Sequence, residues 1–233
     1  MNTLILVHGA SGNAHTWSPV LKHFSPWCAP LAIDLPGRGQ QSDPPLSQVS
    51  ALAEHVAKQL QAQATKPVVL GHSLGGAVCL QLALDYPDLI AGLVMVSSSS
   101  RLRVHPAILK MVAESSAEQP YRLDPAFGPG TPKAIRDSYA ELSAGTPPKT
   151  ALADWQACNT FDVRTRLGEL RCPALVVHGD QDLLTLAKYQ GPLAQALRAQ
   201  HSIVAGAGHM LPWEAPGQLA DAVQAWAAQD PEP

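Results

Sequence analysis

The chain has 233 residues, of which 46% are hydrophobic and 15% are charged, and its formal net charge is −3. One folded domain is expected, because a chain of this length buries about three quarters of the surface that its unfolded form exposes. The small net charge and the scattered Lys and Arg residues argue against binding to nucleic acid or to an anionic membrane. No apolar run reaches the about 20 residues of a membrane helix and no N-terminal signal pattern is present, so we expect a cytoplasmic protein.

The four cysteines lie far apart and lack the spacing of metal ligands; they are Cys28, Cys79, Cys158 and Cys172. We expect them to be small core residues. No metal and no cofactor are expected, and a small molecule is the expected binding partner.

Apolar strand-like runs alternate with amphipathic segments along most of the chain. This pattern predicts a parallel sheet covered by helices on both faces. Strands are expected at residues 3–8, 29–34, 67–71, 90–96, 173–178 and 201–205. Helices are expected at residues 16–24, 47–63, 75–85, 187–199 and 215–228.

The stretch from Arg101 to Arg166 interrupts this alternation. It contains helical pieces near residues 105–116, 131–142 and 149–158, separated by several prolines. Insertions this long are usually functional or act as lids. We therefore predict a core formed by residues 1–100 and 167–233, with a helical insertion at residues 101–166.

Ser73 lies between two glycines in the sequence Gly71-His-Ser-Leu-Gly75, after an apolar β-branched run and before an apolar helical segment. This pattern is typical of a nucleophile elbow. Only glycine fits at the flanking positions, because the turn is tight and its neighbours pass close to the serine. The first N–H groups of the following helix face whatever the serine attacks, and they favour developing negative charge.

A serine hydroxyl needs a base, and His209 is the best placed of the nine histidines. It follows a predicted strand in a glycine-rich loop, where a parallel sheet gathers its catalytic groups. The imidazole in turn needs an acid. Asp182 fills this role at the end of another predicted strand, and Asp180 is the competing candidate, although it is also suited to forming a turn.

Four motifs in this order resemble the α/β-hydrolase fold superfamily, in its serine esterase and lipase-like branch with a helical cap. The motifs are His8-Gly-Ala-Ser-Gly12, Asp34-Leu-Pro-Gly-Arg-Gly39, Gly71-His-Ser-Leu-Gly75, and Gly179-Asp-Gln-Asp182 with Gly208-His209. The resemblance implies a mostly parallel sheet of about six strands, without the two antiparallel strands that most members place first. It also implies that residues 101–166 form a cap over the active site.

By the same resemblance, the N–H groups of Ala10 and Leu74 form the oxyanion hole. Ser11, His72 and Trp155 are candidate substrate-binding residues, although the place of His72 in the elbow suggests that its ring points away. The expected reaction is hydrolysis of a small or medium carboxylic ester or lactone through an acyl-enzyme.

Other functions on this fold remain open. A serine at position 73 argues against dehalogenases and epoxide hydrolases, which use a carboxylate nucleophile. Ala77 stands where the pyruvate-eliminating synthase of menaquinone synthesis has an arginine, although Arg101 or Arg103 is a possible substitute. A carbon–carbon bond hydrolase of aromatic degradation and a ligand receptor on this fold are the remaining alternatives. A monomer or a homodimer is expected.

Overall fold

The computed structural model describes residues 3–24, 27–39, 41 and 43–229. The other positions of the predicted core, both termini among them, lie outside the described residues. Six strands form one parallel sheet in the order β2-β1-β3-β4-β5-β6. The strands are β1 (Thr3–Val7), β2 (Ala29–Ile33), β3 (Val68–His72), β4 (Gly92–Val96), β5 (Ala174–Gly179) and β6 (Gln200–Val204). The predicted fold class is confirmed, and every strand ends within two residues of its expected position.

Nine α-helices occur in the described residues. They are α1 (Ser18–Phe24), α2 (Val49–Leu60), α3 (Leu74–Asp85), α4 (Pro106–Ala113), α5 (Lys133–Ala144), α6 (Pro148–Thr160), α7 (Gln190–Leu197), α8 (Leu211–Glu214) and α9 (Pro216–Ala227). The predicted helix at residues 16–24 is divided, because the side chain of Asn13 accepts the N–H of His15 and starts a 3-10 helix at Ala14. Regular α-helix begins only at Ser18, with Pro19 in the first turn, where a proline is tolerated.

The sheet has a separate apolar core on each face. Ile5 and Val7 of β1 point to one face, which is covered by α2, α3 and α7. Leu4 and Leu6 point to the other face, which is covered by α1 and α9. The alternation follows from the two-residue repeat of a strand. Burial on both faces explains why the inner strands β1, β3, β4 and β5 read as continuous apolar runs.

Residues 101–166 contain α4, α5 and α6, and two adjacent prolines, Pro147 and Pro148, stand at the start of α6. The helix α6 contacts both α4 and the core helix α3. The four cysteines are free, and Cys172 is the only one of them that is not fully buried. None of the described helices is long and apolar enough to cross a membrane.

The loops that follow β1, β3, β5 and β6 leave the same edge of the sheet, because all the strands are parallel. These loops carry Ala10, Ser73, Asp182 and His209. Ligand sites of parallel sheets lie at this carboxyl edge.

Candidate active site

Ser73 occupies a strained turn between β3 and α3. Its backbone has φ 53° and ψ −115°, a conformation that residues with a side chain rarely adopt. A Cβ atom on Gly71 would lie 2.1 Å from the carbonyl oxygen of Gly75, and a Cβ atom on Gly75 would lie 2.1 Å from that of Val7. Both glycines are therefore needed for the close packing of the turn. Strain of this kind is concentrated at functional sites.

Three side chains from three loops meet at this edge of the sheet. The Oγ atom of Ser73 lies 2.9 Å from Nε2 of His209, and Nδ1 of His209 lies 2.9 Å from Oδ2 of Asp182. The backbone of His209 is also fixed, since its N–H donates to the carbonyl of Ala126 at 2.7 Å. A hydroxyl bound to an imidazole whose second nitrogen faces a carboxylate can be activated as a nucleophile.

Asp182 is a buried carboxylate with every oxygen bound. Oδ1 accepts the N–H groups of Leu184 and Thr185, both at 2.8 Å, and Oδ2 accepts the hydroxyl of Thr185 at 2.6 Å. Burial alone would raise the pKa of Asp182, but the adjacent His209 and the bonds from Thr185 outweigh it and hold the pKa well below its usual range. The carboxylate is therefore ionised and able to stabilise a charged His209.

Asp180, the competing acid, turns away from this group. It is exposed, and its Oδ1 atom accepts the N–H of Gly206 at 2.8 Å. The structure thus places Asp182, and not Asp180, against His209.

The N–H groups of Ala10 and Leu74 bind no acceptor within the described part of the chain. Gly9 allows the loop of Ala10 to lie directly on the elbow, because a Cβ atom there would be 2.8 Å from Nδ1 of His72 and 3.3 Å from Cβ of Ser73. Leu74 is the first residue of α3, so its N–H is at the positive end of the helix dipole. This pair of donors can bind an oxygen that becomes negatively charged beside Ser73.

Two buried histidines, His8 and His178, hold the backbone at the ends of strands near the site. His8 donates from Nδ1 to the carbonyl of Gly9 at 2.9 Å and accepts the N–H of Leu35 at 3.1 Å, which fixes it as a neutral ring. Burial, aided by the charge of Arg38, lowers the pKa of His8 to about 3. His178 likewise donates from Nδ1 to the carbonyl of the glycine that follows it. His8 and His178 therefore hold the backbone at two strand ends.

His72, a candidate substrate contact, binds the backbone of the candidate base. Its Nε2 donates to the carbonyl of His209 at 2.9 Å. Burial lowers the pKa of His72 to about 3, so the ring stays neutral. His72 is nonetheless among the residues that line a cavity beside Ser73.

Two cavities meet at Ser73 and His209, and Trp155 and Leu184 lie between them. The first cavity has a volume of about 50 Å³. Its wall includes the other two candidate contacts, Ser11 and Trp155, together with Tyr121, Phe127 and Tyr139. The second cavity has a volume of about 350 Å³. Its wall is mostly apolar, with Leu102, Val104, Ile108 and Leu186, and also includes the exposed Arg101, Arg103 and His105.

A buried ion pair that the sequence analysis did not identify joins α6 to the loop after β2. The guanidinium of Arg38 binds both carboxylate oxygens of Asp154, at 2.6 and 2.7 Å, and the two side chains are almost completely buried. Asp154 also accepts the N–H of Ser11 at 2.8 Å. The available signal was weak: Arg38 lies in one of the quoted motifs, and Asp154 is the one charged residue in the apolar run of residues 151–158.

Within the described residues, no group of three or more His, Cys, Asp or Glu side chains is arranged to hold a metal ion.

The chain is similar to known proteins both in sequence and in fold. The model of the alpha/beta hydrolase family matches residues 4–222. A pimeloyl-[acyl-carrier protein] methyl ester esterase of Vibrio vulnificus (strain YJ016) is 29% identical over 218 residues, which cover 86% of this chain and 84% of that protein. A solved thermophilic esterase superposes with a TM-score of 0.83 at 28% identity, covering 97% of this chain and 89% of the other.

A second solved structure, the enol-lactonase of Burkholderia xenovorans LB400, superposes with a TM-score of 0.86 over 97% of this chain and 91% of its own. Its 18% identity shows a common fold. Because the family match extends over nearly the whole sheet and its loops, the chain belongs to the alpha/beta hydrolase family.

Proposed function

We propose that this protein is a serine hydrolase that cleaves carboxylic esters through an acyl-enzyme intermediate. The observation that carries the proposal is the continuous line of hydrogen bonds from Ser73 through His209 to Asp182, with both distances at 2.9 Å. The N–H groups of Ala10 and Leu74 beside Ser73, which bind no acceptor among the described residues, support the same chemistry.

In the proposed reaction, Nε2 of His209 takes the proton of the Ser73 hydroxyl while Oγ attacks the ester carbonyl carbon. The carbonyl oxygen becomes negative and is held by the N–H groups of Ala10 and Leu74. Asp182 stabilises the imidazolium. When the intermediate collapses, the carbon–oxygen bond to the alcohol breaks, and His209 gives its proton to the departing alkoxide.

The acyl-enzyme is then hydrolysed by the reverse sequence of proton transfers. A water molecule loses a proton to His209 as it attacks the acyl carbon, and the second tetrahedral intermediate expels Ser73. The proton on His209 returns to the serine, the acid leaves, and the enzyme is restored.

The substrate class follows from the cavities and the relatives together. The apolar second cavity, of about 350 Å³, suits a medium-sized uncharged group. The curated relative from Vibrio vulnificus is a methyl ester esterase, and a solved neighbour of similar identity is an esterase. We therefore favour small or medium carboxylic esters, with lactones as cyclic members of the class, and we propose that residues 101–166 act as a cap that selects among them.

The test is steady-state hydrolysis of p-nitrophenyl esters of increasing acyl length by wild-type protein and by Ser73→Ala. Turnover near 10 per second is typical of enzymes, and we expect it to be lost in the variant. Mass spectrometry of the wild type after rapid acid quenching should show the added acyl group. Slow hydrolysis of only one ester molecule per protein molecule would indicate a ligand receptor. Inactivity of folded protein on every ester would favour a carbon–carbon bond hydrolase.

A further inference from the structure

One wall of the first cavity carries a chain of hydrogen bonds. Nε1 of Trp155 donates to the hydroxyl of Tyr121 at 2.7 Å, and the hydroxyl of Tyr121 donates to Oγ of Ser11. All three residues line the cavity beside Ser73. The chain therefore ends on a hydroxyl that faces the reacting serine's cavity.

The direction of this chain follows from the chemistry of its members. An indole N–H can only donate, so the hydrogen of Tyr121 is left for another acceptor. A phenol is more acidic than an alkyl hydroxyl and is the better donor of the two. Burial raises the pKa of Tyr121 to about 12, so it keeps its proton at neutral pH. The hydrogen of the Ser11 hydroxyl has no acceptor among the described residues.

Ser11 is held in place at every other polar group. Its N–H donates to Asp154 at 2.8 Å, its carbonyl accepts the hydroxyl of Thr146 at 2.9 Å, and its Oγ accepts from Tyr121. These bonds hold a backbone with φ 56°, which is unusual for a residue with a side chain. Such an arrangement fixes the position of Oγ and leaves only its hydrogen free to meet a ligand.

The charges around the first cavity indicate the kind of ligand group. Arg122 pairs with Asp124 and Asp137, at 3.1 and 3.0 Å. Arg136 donates to the carbonyl groups of Gly128 and Thr131, at 3.0 and 3.1 Å. Two carboxylates balance the charge of Arg122, whereas Arg136 binds only carbonyl oxygens and keeps its positive charge at the cavity wall. This charge and the hydroxyl of Ser11 favour an oxygen acceptor in the ligand over a purely apolar group.

The size of the first cavity limits that group further. A volume of about 50 Å³ is small beside the about 150 Å³ cavity that binds benzene in another protein. A substituent of about three heavy atoms fits, whereas a bulky aromatic group is directed to the second cavity.

We propose that the first cavity binds the shorter substituent of the ester and that Ser11 donates a hydrogen bond to an oxygen in that substituent. Ser11 is then a specificity-determining residue, and the preferred substrates carry an ether, hydroxyl or keto oxygen close to the scissile carbonyl. This inference rests on the proposed ester hydrolase function.

The test compares two esters that differ by one atom, p-nitrophenyl methoxyacetate and p-nitrophenyl butanoate. The large aromatic alcohol occupies the second cavity, so the short acyl group enters the first. The quantity of interest is the ratio of the two kcat/KM values in each variant. The two esters differ in intrinsic reactivity, but this difference is the same for wild type and Ser11→Ala and cancels when their ratios are compared. A general distortion of the site lowers both kcat/KM values and leaves the ratio unchanged.

We expect Ser11→Ala to lower the ratio about tenfold, the effect of losing one hydrogen bond. Tyr121→Phe alone should lower the ratio. The same substitution added to Ser11→Ala should leave the ratio of Ser11→Ala unchanged. Ser143→Ala is the matched control, because this serine lines the same cavity but its hydroxyl is bound to the carbonyl of Ala140 at 3.1 Å. It should keep the wild-type ratio.

A binding measurement separates this inference from the proposed function. The 4-nitroanilides of methoxyacetic and butanoic acid resist hydrolysis, and calorimetry gives their dissociation constants with Ser73→Ala and with Ser73→Ala/Ser11→Ala. If the wild type hydrolyses neither ester, the proposed function fails. The ratio of the two dissociation constants then decides alone whether Ser11 binds the oxygen. A ratio that Ser11→Ala leaves unchanged in both assays, or that Ser143→Ala lowers equally, overturns the assignment of Ser11.

Discussion

The carboxylate of Glu214 holds the backbone on both sides of His209. Oε2 accepts the N–H of Gly208 at 3.0 Å, and Oε1 accepts the N–H of Met210 at 2.9 Å. The same Oε2 atom accepts the N–H of Gly128 and the hydroxyl of Thr131, at 2.8 and 2.6 Å. One carboxylate thus joins the loop of the candidate base to the 101–166 segment.

We expect Glu214→Gln to lower kcat for esters by about ten- to a hundredfold while KM changes little. The amide of glutamine would turn an NH₂ group toward N–H donors that now bind the carboxylate, so the loop of His209 would shift. Small displacements of a catalytic group lower the rate by about this factor. Steady-state kinetics with matched circular dichroism measures the effect. Glu141→Gln, an exposed glutamate on α5, is the control. If Glu214→Gln changes only KM, Glu214 does not position His209.

The two aspartates of the β5 loop give a second prediction. Asp182→Asn should lower kcat by about 10⁴, because an amide cannot stabilise the imidazolium or fix its tautomer. Asp180→Asn should keep most of the activity, since its side chain binds the N–H of Gly206 and not His209. The kcat values of the two variants, measured on the same p-nitrophenyl ester, check this. A larger loss in Asp180→Asn would show that the wrong acid has been assigned.

The sequence predicted the elements and their order well, because the four inner strands β1, β3, β4 and β5 are buried on both faces. Every strand except β4 also ends at a turn that contains glycine. The elbow at Ser73 and the loop at His209 were visible for the same reason: glycine is needed where Gly71, Gly75 and Gly208 approach other backbone atoms. Such requirements are local, so they leave a signature in neighbouring positions.

The supporting contacts could not be predicted in this way. Asp154 lies 116 residues from Arg38 and 143 residues from Ser11 along the chain. Its place depends on how α6 packs over the sheet, and no local pattern encodes that. Glu214 is similar, since two of its four donors, the N–H of Gly128 and the hydroxyl of Thr131, lie 86 and 83 residues away along the chain. The reader of a single sequence sees these residues only as isolated charges.

Acid should destabilise the protein through His8. The folded protein keeps this buried ring neutral down to a pKa of about 3, whereas the usual value is 6.5. Between these pH values the unfolded state binds more protons, so the free energy of unfolding falls as the pH falls from about 6.5 toward 3. One such group contributes up to about 1.4 kcal/mol per pH unit.

Urea unfolding at several pH values between roughly 7.5 and 4.5, where the two states bind different numbers of protons, measures this slope. His8→Gln should show a shallower slope than the wild type, even if it is less stable at the highest pH. The exposed His15→Gln is the control and should keep the wild-type slope. Equal slopes for all three proteins would show that His8 does not contribute to the loss of stability in acid.

The buried pair of Arg38 and Asp154 gives the last prediction. Asp154→Ala leaves a guanidinium buried without its carboxylate and removes the acceptor of the Ser11 N–H, so we expect the free energy of unfolding to fall by about 3 to 5 kcal/mol. Arg38→Met/Asp154→Leu replaces the pair with apolar groups of similar length and should recover much of that loss. Urea unfolding of the two variants and the wild type measures both effects. A double variant that is less stable than Asp154→Ala would mean that the pair contributes more than the cost of burying its charges.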